Sequence, residues 1–97
     1  MEQDIYAVAY IRVTPEARDG FLRIMKSMIA AGKADQSNKR YELLQDPANP
    51  DAFTVIAIWA SAEDIHRHEK SREFGELLPL LGSGAVKIHP VRGTRIL

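Results

Sequence analysis

His68 is the side chain in this 97-residue sequence whose type best suits proton-transfer chemistry. An imidazole titrates near neutral pH, so it can take the proton of a phenol or an enol under physiological conditions. The electron-rich anion that remains can pass an electron to molecular oxygen without any cofactor. His68 is therefore the first candidate catalytic residue. A helical histidine that only bonds to backbone or water is the competing interpretation.

Aromatic side chains supply the candidates for substrate binding. Trp59 ends an apolar stretch and can wall a pocket, stack on an aromatic ring and orient it through the indole N–H, although core packing alone would also explain it. Tyr6 and Tyr10 share one face of the first predicted strand, where their hydroxyls border either a pocket or a subunit contact. Phe74 and His89 complete the set of candidate substrate-binding residues.

A metal site is the weaker alternative. His66, Glu69 and Glu73 lie at helical steps of three and four, a spacing that an imidazole and two carboxylates could use. No further ligand is evident on another element, so ordinary ion pairing is favoured and we expect no metal. The sequence also has no glycine-rich phosphate loop and no Ser-His-Asp order.

The length and composition indicate one globular domain over residues 1–97. Thirteen basic residues balance thirteen acidic ones, so neither nucleic acid nor an anionic membrane is an expected partner. There are no cysteines, which removes thiolate metal sites and cysteine nucleophiles. The first residues have no basic segment followed by an apolar run, and no apolar stretch approaches the roughly 18 residues of a membrane span. A cytoplasmic enzyme or binding protein is the expectation.

Apolar periodicity predicts the elements that must position these residues. Strands are predicted at 5–13, 40–45, 52–59 and 85–91, the last continuing to about 96, with a connection at 35–39 and a proline-rich loop at 46–51. A first helix is predicted from Pro15, capped by Thr14, to about Ala34, with Met25 and Met28 in the core.

The second helical region begins with Ser61 as its cap and Asp64 in the place of the capping-box acid. It runs to about Lys70, bends or restarts at Ser71, and continues as an apolar stripe at 74–81 that Pro79 interrupts. The resulting order β-α-β-β-α-β predicts an α+β, ferredoxin-like split βαβ fold with an antiparallel sheet.

Helices cover only one face of such a sheet. The first and third strands are apolar on both faces, so the uncovered face would expose a large apolar patch on a monomer. The sequence therefore predicts a homodimer that packs sheet against sheet, with a pocket between each sheet and its helices.

Three motifs resemble the antibiotic biosynthesis monooxygenase domain of the dimeric α/β-barrel superfamily. They are the run Tyr-Glu-Leu-Leu-Gln-Asp-Pro at 41–47, the strand from Phe53 to Trp59, and His68 followed by Ser71 and Phe74. The resemblance covers most of the chain and implies a dimeric α/β barrel. It also implies cofactor-free oxidation of a phenolic or quinol-type molecule by oxygen, with His68 and Trp59 at the catalytic site. The superfamily further includes haem-degrading enzymes and an isomerase of a quorum-sensing sugar derivative.

The chain departs from that pattern at several polar positions. Asp35-Gln36-Ser37 stands where members often have Glu-Pro-Gly, Ala57 where they tend to carry a glutamate, and Glu73 where a second histidine is frequent. Ala9 takes the place of the asparagine used by the haem-degrading branch, so haem degradation is not expected. Two alternatives therefore stay beside the monooxygenase: an isomerase of a small polar, quorum-sensing-type substrate, and a non-catalytic module that binds a small molecule on the same fold.

Overall fold

The computed structural model describes residues 3–97; residues 1 and 2, part of the predicted domain, lie outside the described range. The predicted order β-α-β-β-α-β is confirmed. The strands are β1 (Ile5–Val13), β2 (Asn38–Asp46), β3 (Asn49–Trp59) and β4 (Val86–Thr94), and the helices are α1 (Arg18–Lys33), α2 (Ala62–Glu69), α3 (Arg72–Gly75) and α4 (Leu78–Gly82).

The four strands form one antiparallel sheet in the order β2-β3-β1-β4. This is the ferredoxin-like arrangement, in which the two strands richest in apolar residues, β1 and β3, lie at the centre. The register pairs Ile5 with Trp59 and Ala7 with Ala57. Because directly paired residues point to the same side, the odd-numbered residues of β1 and β3 share one face.

The helices cover that face and enclose the core, while the even-numbered face has no helix over it. Helix α1 buries Met25 and Met28, as predicted, together with Phe21. The remaining core comes from the covered face of the sheet and from the later helices: Ile11, Val13, Tyr41, Phe53, Val55, Ala57, Trp59, Ile65, Leu77 and Val86.

The loop predicted at 46–51 is wrong, because the hairpin is much tighter. Strand β2 extends to Asp46, β3 already begins at Asn49, and only two residues lie between them. Asp46 Oδ1 accepts from the Ala48 N–H at 2.8 Å, and Gln45 Nε2 donates to the Pro50 carbonyl at 2.9 Å. An irregular register after the turn accommodates the proline, which cannot donate to a regular ladder.

The structure also corrects the helix boundaries. Pro15–Ala17 form a 3-10 turn, α1 begins at Arg18, and the Thr14 side chain makes no capping hydrogen bond. Pro79 does not interrupt a helix; it lies in the first turn of α4, where its missing N–H is not needed. Strand β2 starts at Asn38, so the connection after α1 is shorter than the predicted 35–39.

The predicted cap of α2 is confirmed. Ser61 Oγ accepts from the Asp64 N–H at 3.3 Å and donates to Asp64 Oδ2 at 2.7 Å. The aspartate, which is shorter than the usual glutamate, thus bonds to the hydroxyl of the capping residue. Ser71 caps α3 in the same way by accepting from the Phe74 N–H. Among the helices of residues 3–97, none is long and apolar enough to cross a membrane.

Candidate active site

His68 lies in the last turn of α2 and faces the covered side of the sheet. Its ring centroid is 5.0 Å from that of Trp59, with 34° between the planes, and 6.2 Å from that of Phe74 in an edge arrangement. Trp59 is only 2% exposed. The structure therefore brings together three of the residues that the sequence singles out.

Tyr41 completes this cluster and makes its polar contact. The Tyr41 hydroxyl lies 2.8 Å from His68 Nε2, and the tyrosine ring contacts both Trp59 and His68 edge-on, with centroid distances of 6.1 and 5.3 Å. Burial raises the pKa of the Tyr41 phenol far above its usual value. The phenol is consequently neutral and available as a hydrogen-bond donor at physiological pH.

The His68 imidazole is also held in its neutral form. Burial lowers the pKa of His68 below its ordinary value of 6.5, and this effect outweighs the negative charges of Glu69, Glu73 and Asp35, which act in the opposite direction. A neutral imidazole near pH 7 keeps one unprotonated ring nitrogen, which is the form that a general base requires.

A cluster of polar side chains fixes α2 beside the sheet. Arg67, the neighbour of His68, donates to Asp35 Oδ2 and to Asp64 Oδ1, each at 2.7 Å. Asp35 Oδ1 accepts from the Ser37 N–H and hydroxyl. The Arg67 guanidinium, followed by the Ser37 donors, lowers the pKa of Asp35 from 3.8 to about 2. The acid in the Asp35-Gln36-Ser37 segment thus has a structural role in the folded chain.

Gly32 allows α1 to approach this cluster closely. A Cβ at that position would lie 2.5 Å from Tyr41 Cε2 and 3.6 Å from His68 Cε1. Contacts under 3.0 Å are essentially never seen for a real Cβ, so only glycine leaves room for the Tyr41 ring in its present position.

A cavity of about 340 Å³ opens between the sheet and the helices beside these residues. Its wall is largely apolar and includes Ala57. Met25 and Met28, predicted as core, are buried and also form part of the wall. Glu69 and Arg92 lie at the rim, where Arg92 Nη2 donates to Glu69 Oε2 at 2.9 Å. Such a cavity suits a small, mostly apolar ring.

Tyr6, Tyr10 and His89 lie on the other face of the sheet. Tyr10 pairs with His89 across β1 and β4, and their rings stack with centroids 6.5 Å apart. Since Tyr6 and Tyr10 are even-numbered in β1, they point away from Trp59 and His68. A separate groove of about 520 Å³ includes Tyr10 and His89 in its lining. The candidate residues therefore divide between two surfaces.

The helical spacing of His66, Glu69 and Glu73 does not bring them together around one point. His66 Nδ1 lies 3.7 Å from Glu69 Oε1, while the other carboxylate oxygen of Glu69 accepts from Arg92. Glu73 approaches Arg72 instead. Within residues 3–97, no three histidine, cysteine or acidic side chains are grouped so that they could hold a metal ion.

Tyr41 is the site residue that sequence reasoning did not identify. The sequence feature that could have identified it is the alternation of polar and apolar residues in β2, which places Tyr41 and Leu43 on the same face as the apolar residues of β3. The contact with His68 depends on where α2 packs, and no local pattern encodes that distance.

The fold and the cavity define a small ferredoxin-like α+β domain that holds a histidine and a tyrosine against an apolar, small-molecule-sized space. The sequence profile described as antibiotic biosynthesis monooxygenase matches residues 4–78. Since this is most of the chain, the protein belongs to the antibiotic biosynthesis monooxygenase family. It is also 27% identical over 66 residues to the protein named "Putative monooxygenase YcnE" of Bacillus subtilis (strain 168), an alignment that covers 68% of this chain and 70% of that protein.

Solved structures share the fold over nearly the whole chain. A conserved protein from Methanosarcina mazei Go1 superposes with a TM-score of 0.84 at 25% identity, covering 98% of this chain and 95% of that one. SnoaB, a cofactor-independent oxygenase from Streptomyces nogalater, superposes with a TM-score of 0.80 at 14% identity, covering 98% and 95%. The family and these neighbours support a generic monooxygenase-like role.

Proposed function

We propose that this chain is a cofactor-independent monooxygenase that oxidises a small phenolic or quinol-type molecule with molecular oxygen. The observation that carries the proposal is the position of His68, a neutral imidazole beside Trp59 at the wall of the apolar cavity. His68 acts as the base, and Trp59 and Phe74 hold the substrate ring against it.

The reaction begins when the proton of the substrate hydroxyl passes to the His68 imidazole, which becomes imidazolium. The substrate anion then gives one electron to oxygen, which forms superoxide and a substrate radical. The two recombine as a peroxide anion on a ring carbon that bears a hydrogen atom, and the imidazolium returns its proton to the peroxide. Loss of water, which takes the ring hydrogen and the outer O–H group, leaves a carbonyl on that carbon and neutral His68. Oxygen is thus the only co-reactant, with one of its atoms in the product and the other in water.

Oxygen uptake with a panel of quinols tests this function. His68→Gln should lower kcat by about 10²- to 10⁴-fold, the usual contribution of a general base. His66→Gln is the matched control, because His66 belongs to the same helix but has a 69% exposed side chain outside the cavity. Equal rates in the wild type and His68→Gln would remove His68 from the mechanism.

A non-catalytic binding module is the second candidate, and Ala57 favours it. Its methyl group is buried in the cavity wall, at a position where the family resemblance implies a carboxylate. This candidate predicts that quinols bind with no oxygen uptake. An isomerase, the remaining alternative, would convert its substrate through His68 without consuming oxygen.

We also propose that two copies pack through the face of the sheet that no helix covers. This open face carries several apolar side chains of the central and edge strands, with Tyr10 55%, Leu44 46% and Val91 45% exposed. Tyr6, Tyr10 and His89 would then lie at the subunit contact. Association would remove an apolar surface from water that is unusually large for a small monomer.

A further inference from the structure

The His68 ring has one polar contact that the general-base scheme does not use. Among residues 3–97, the Tyr41 hydroxyl is the side-chain group that bonds to this ring, through Nε2 at 2.8 Å. Tyr41 comes from β2 and His68 from α2, so the hydrogen bond links the sheet to the helix. Both residues line the cavity.

The direction of this hydrogen bond follows from the chemistry of the two groups. A phenol is the stronger proton donor of the pair and an imidazole nitrogen the stronger acceptor, when both are neutral. The environment keeps them neutral, since burial raises the pKa of Tyr41 and lowers that of His68. The hydroxyl therefore donates to Nε2, and the imidazole proton is confined to Nδ1.

That tautomer has a consequence for the reaction. The basic lone pair of His68 is on Nε2, and the Tyr41 hydroxyl already occupies it. A substrate hydroxyl cannot reach Nε2 directly unless this hydrogen bond breaks. It can instead donate to the Tyr41 oxygen, which keeps a free lone pair.

We propose that Tyr41 relays the substrate proton to His68. This inference rests on the proposed monooxygenase function and names a further residue for it. As the substrate O–H bond breaks, its proton forms a new O–H bond with Tyr41, while the proton that Tyr41 held passes to His68 Nε2. The step leaves a substrate anion, a neutral tyrosine and an imidazolium, so tyrosinate never accumulates.

Nearby charges complete the environment of the imidazolium. Glu69 on α2, Glu73 on α3 and Asp35 after α1 all favour a positive His68, and Arg92 on β4 and Arg67 are paired with Glu69 and Asp35 respectively. The carboxylates therefore stabilise the product of the relay, whereas burial favours the neutral state before it.

The tautomer can be measured without any substrate. In the wild type at slightly alkaline pH, ¹⁵N NMR of the histidine side chains should show His68 protonated on Nδ1, with Nε2 as acceptor. Assignment uses His68→Gln, which removes that signal. In Tyr41→Phe the proton should move toward Nε2. A wild-type His68 protonated on Nε2 would overturn the proposal, whatever the enzyme oxidises.

Kinetics supply the second test. Tyr41→Phe keeps the ring and removes only the hydroxyl, so kcat for quinol oxidation should fall by at least about 10²-fold while KM changes little. An unchanged kcat, in a series where His68→Gln is inactive, would show that His68 works without a relay. If Tyr41→Phe does not fold, the wild-type NMR measurement alone decides the direction of the hydrogen bond. If no quinol is oxidised at all, the proposed function fails while the tautomer result stands.

Discussion

At the scale of single residues, the chemistry of His68 is set more by its surroundings than by its type. Burial against Trp59 and Phe74 removes water from the imidazole, and the Tyr41 hydroxyl satisfies one nitrogen. His66, on the same helix, differs in its surroundings because its side chain is 69% exposed. The two histidines therefore offer a direct comparison.

The lowered pKa of His68 predicts a pH-dependent stability. Above pH 6.5 the residue is neutral in both the folded and unfolded chain and costs nothing. As the pH falls from 6.5 through the lower folded pKa, the unfolded state binds a proton more readily, so the folded state loses stability. Urea unfolding at slightly alkaline and mildly acidic pH should show this loss in the wild type and a smaller one in His68→Gln. An identical loss of stability in both proteins would show that His68 is not the group responsible for it.

Part of the site could be predicted from residue types alone. His68 and Trp59 were identified because imidazole and indole have distinctive chemistry near a strand–helix junction. Alternation placed Tyr6 and Tyr10 on one face of β1, but both faces of this strand are apolar, so the pattern could not say which face the helices cover. Tyr41 was missed because its role arises from a contact between residues 27 positions apart.

At the scale of elements, the packing of α1 against β2 depends on the missing side chain of Gly32. Gly32→Ala would place a methyl group 2.5 Å from the Tyr41 ring, and overpacking of this kind costs about 1–3 kcal/mol. The gain in helix propensity, about 1 kcal/mol, offsets only part of that cost. Chemical denaturation should therefore show net destabilisation, with a displaced Tyr41–His68 contact.

Gly20→Ala is the matched control in the same helix. There the nearest atom to a new Cβ is the flexible end of Arg23, 3.8 Å away. The substitution should stabilise the protein by about 0.5–1 kcal/mol, because alanine restricts the unfolded chain and favours a helix. Equal changes in stability for Gly32→Ala and Gly20→Ala would show that the close contact between Gly32 and Tyr41 does not restrict the residue at position 32.

The attachment of α2 through Arg67 is a second prediction at this scale. Arg67→Gln removes both ion pairs, to Asp35 and Asp64, and should lower the free energy of unfolding only slightly, because the guanidinium is exposed to water. Amide hydrogen exchange should rise in α2 more than in the sheet. Arg72→Gln, which alters a more exposed pair, should leave exchange in α2 unchanged.

The contribution of the Asp35 carboxylate to stability is present above pH 3.8 and is lost as the pH falls toward about 2.

Element types were easier to predict than element boundaries. Hydrophobic periodicity identified all four strands, because burial of one face requires it. The hairpin at Asp46–Asn49 was predicted as a longer loop. Two prolines and several turn-forming residues indicate irregular backbone, but they do not indicate how many residues are irregular. Asp46 accepts a hydrogen bond from Ala48 and Gln45 donates one to Pro50, and these bonds accompany the start of a strand within that segment.

At the scale of the whole molecule, the fold leaves one face of the sheet open, and we expect association to cover it. Tyr10→Glu places a charge on that face and should shift sedimentation at micromolar concentration toward the monomer. Leu78→Glu is the matched control, since Leu78 is equally exposed, at 55%, but lies on the helical side. A wild type that sediments as a monomer would contradict the dimer.

The topology followed from the sequence for a physical reason. A β-α-β-β-α-β order with two doubly apolar strands has few ways to bury those strands, and the ferredoxin-like sheet puts both in the centre. The sequence predicts a pocket between the sheet and its helices, and a cavity lies there. Its volume could not be predicted, because it is the difference between sheet–helix spacing and side-chain size. That difference depends on packing across the entire domain.

The ion pair between Glu69 and Arg92 spans the rim of the cavity, from α2 to β4. Because both side chains are partly exposed to solvent, dissolved salt weakens their attraction. The rate of ligand entry into the cavity should therefore depend on ionic strength and be higher at high ionic strength than at low. Stopped-flow binding of an uncharged fluorescent dye would reveal this, and Arg92→Gln should make the entry rate insensitive to salt. The chain would then admit its ligand at a rate set partly by the ionic medium around it.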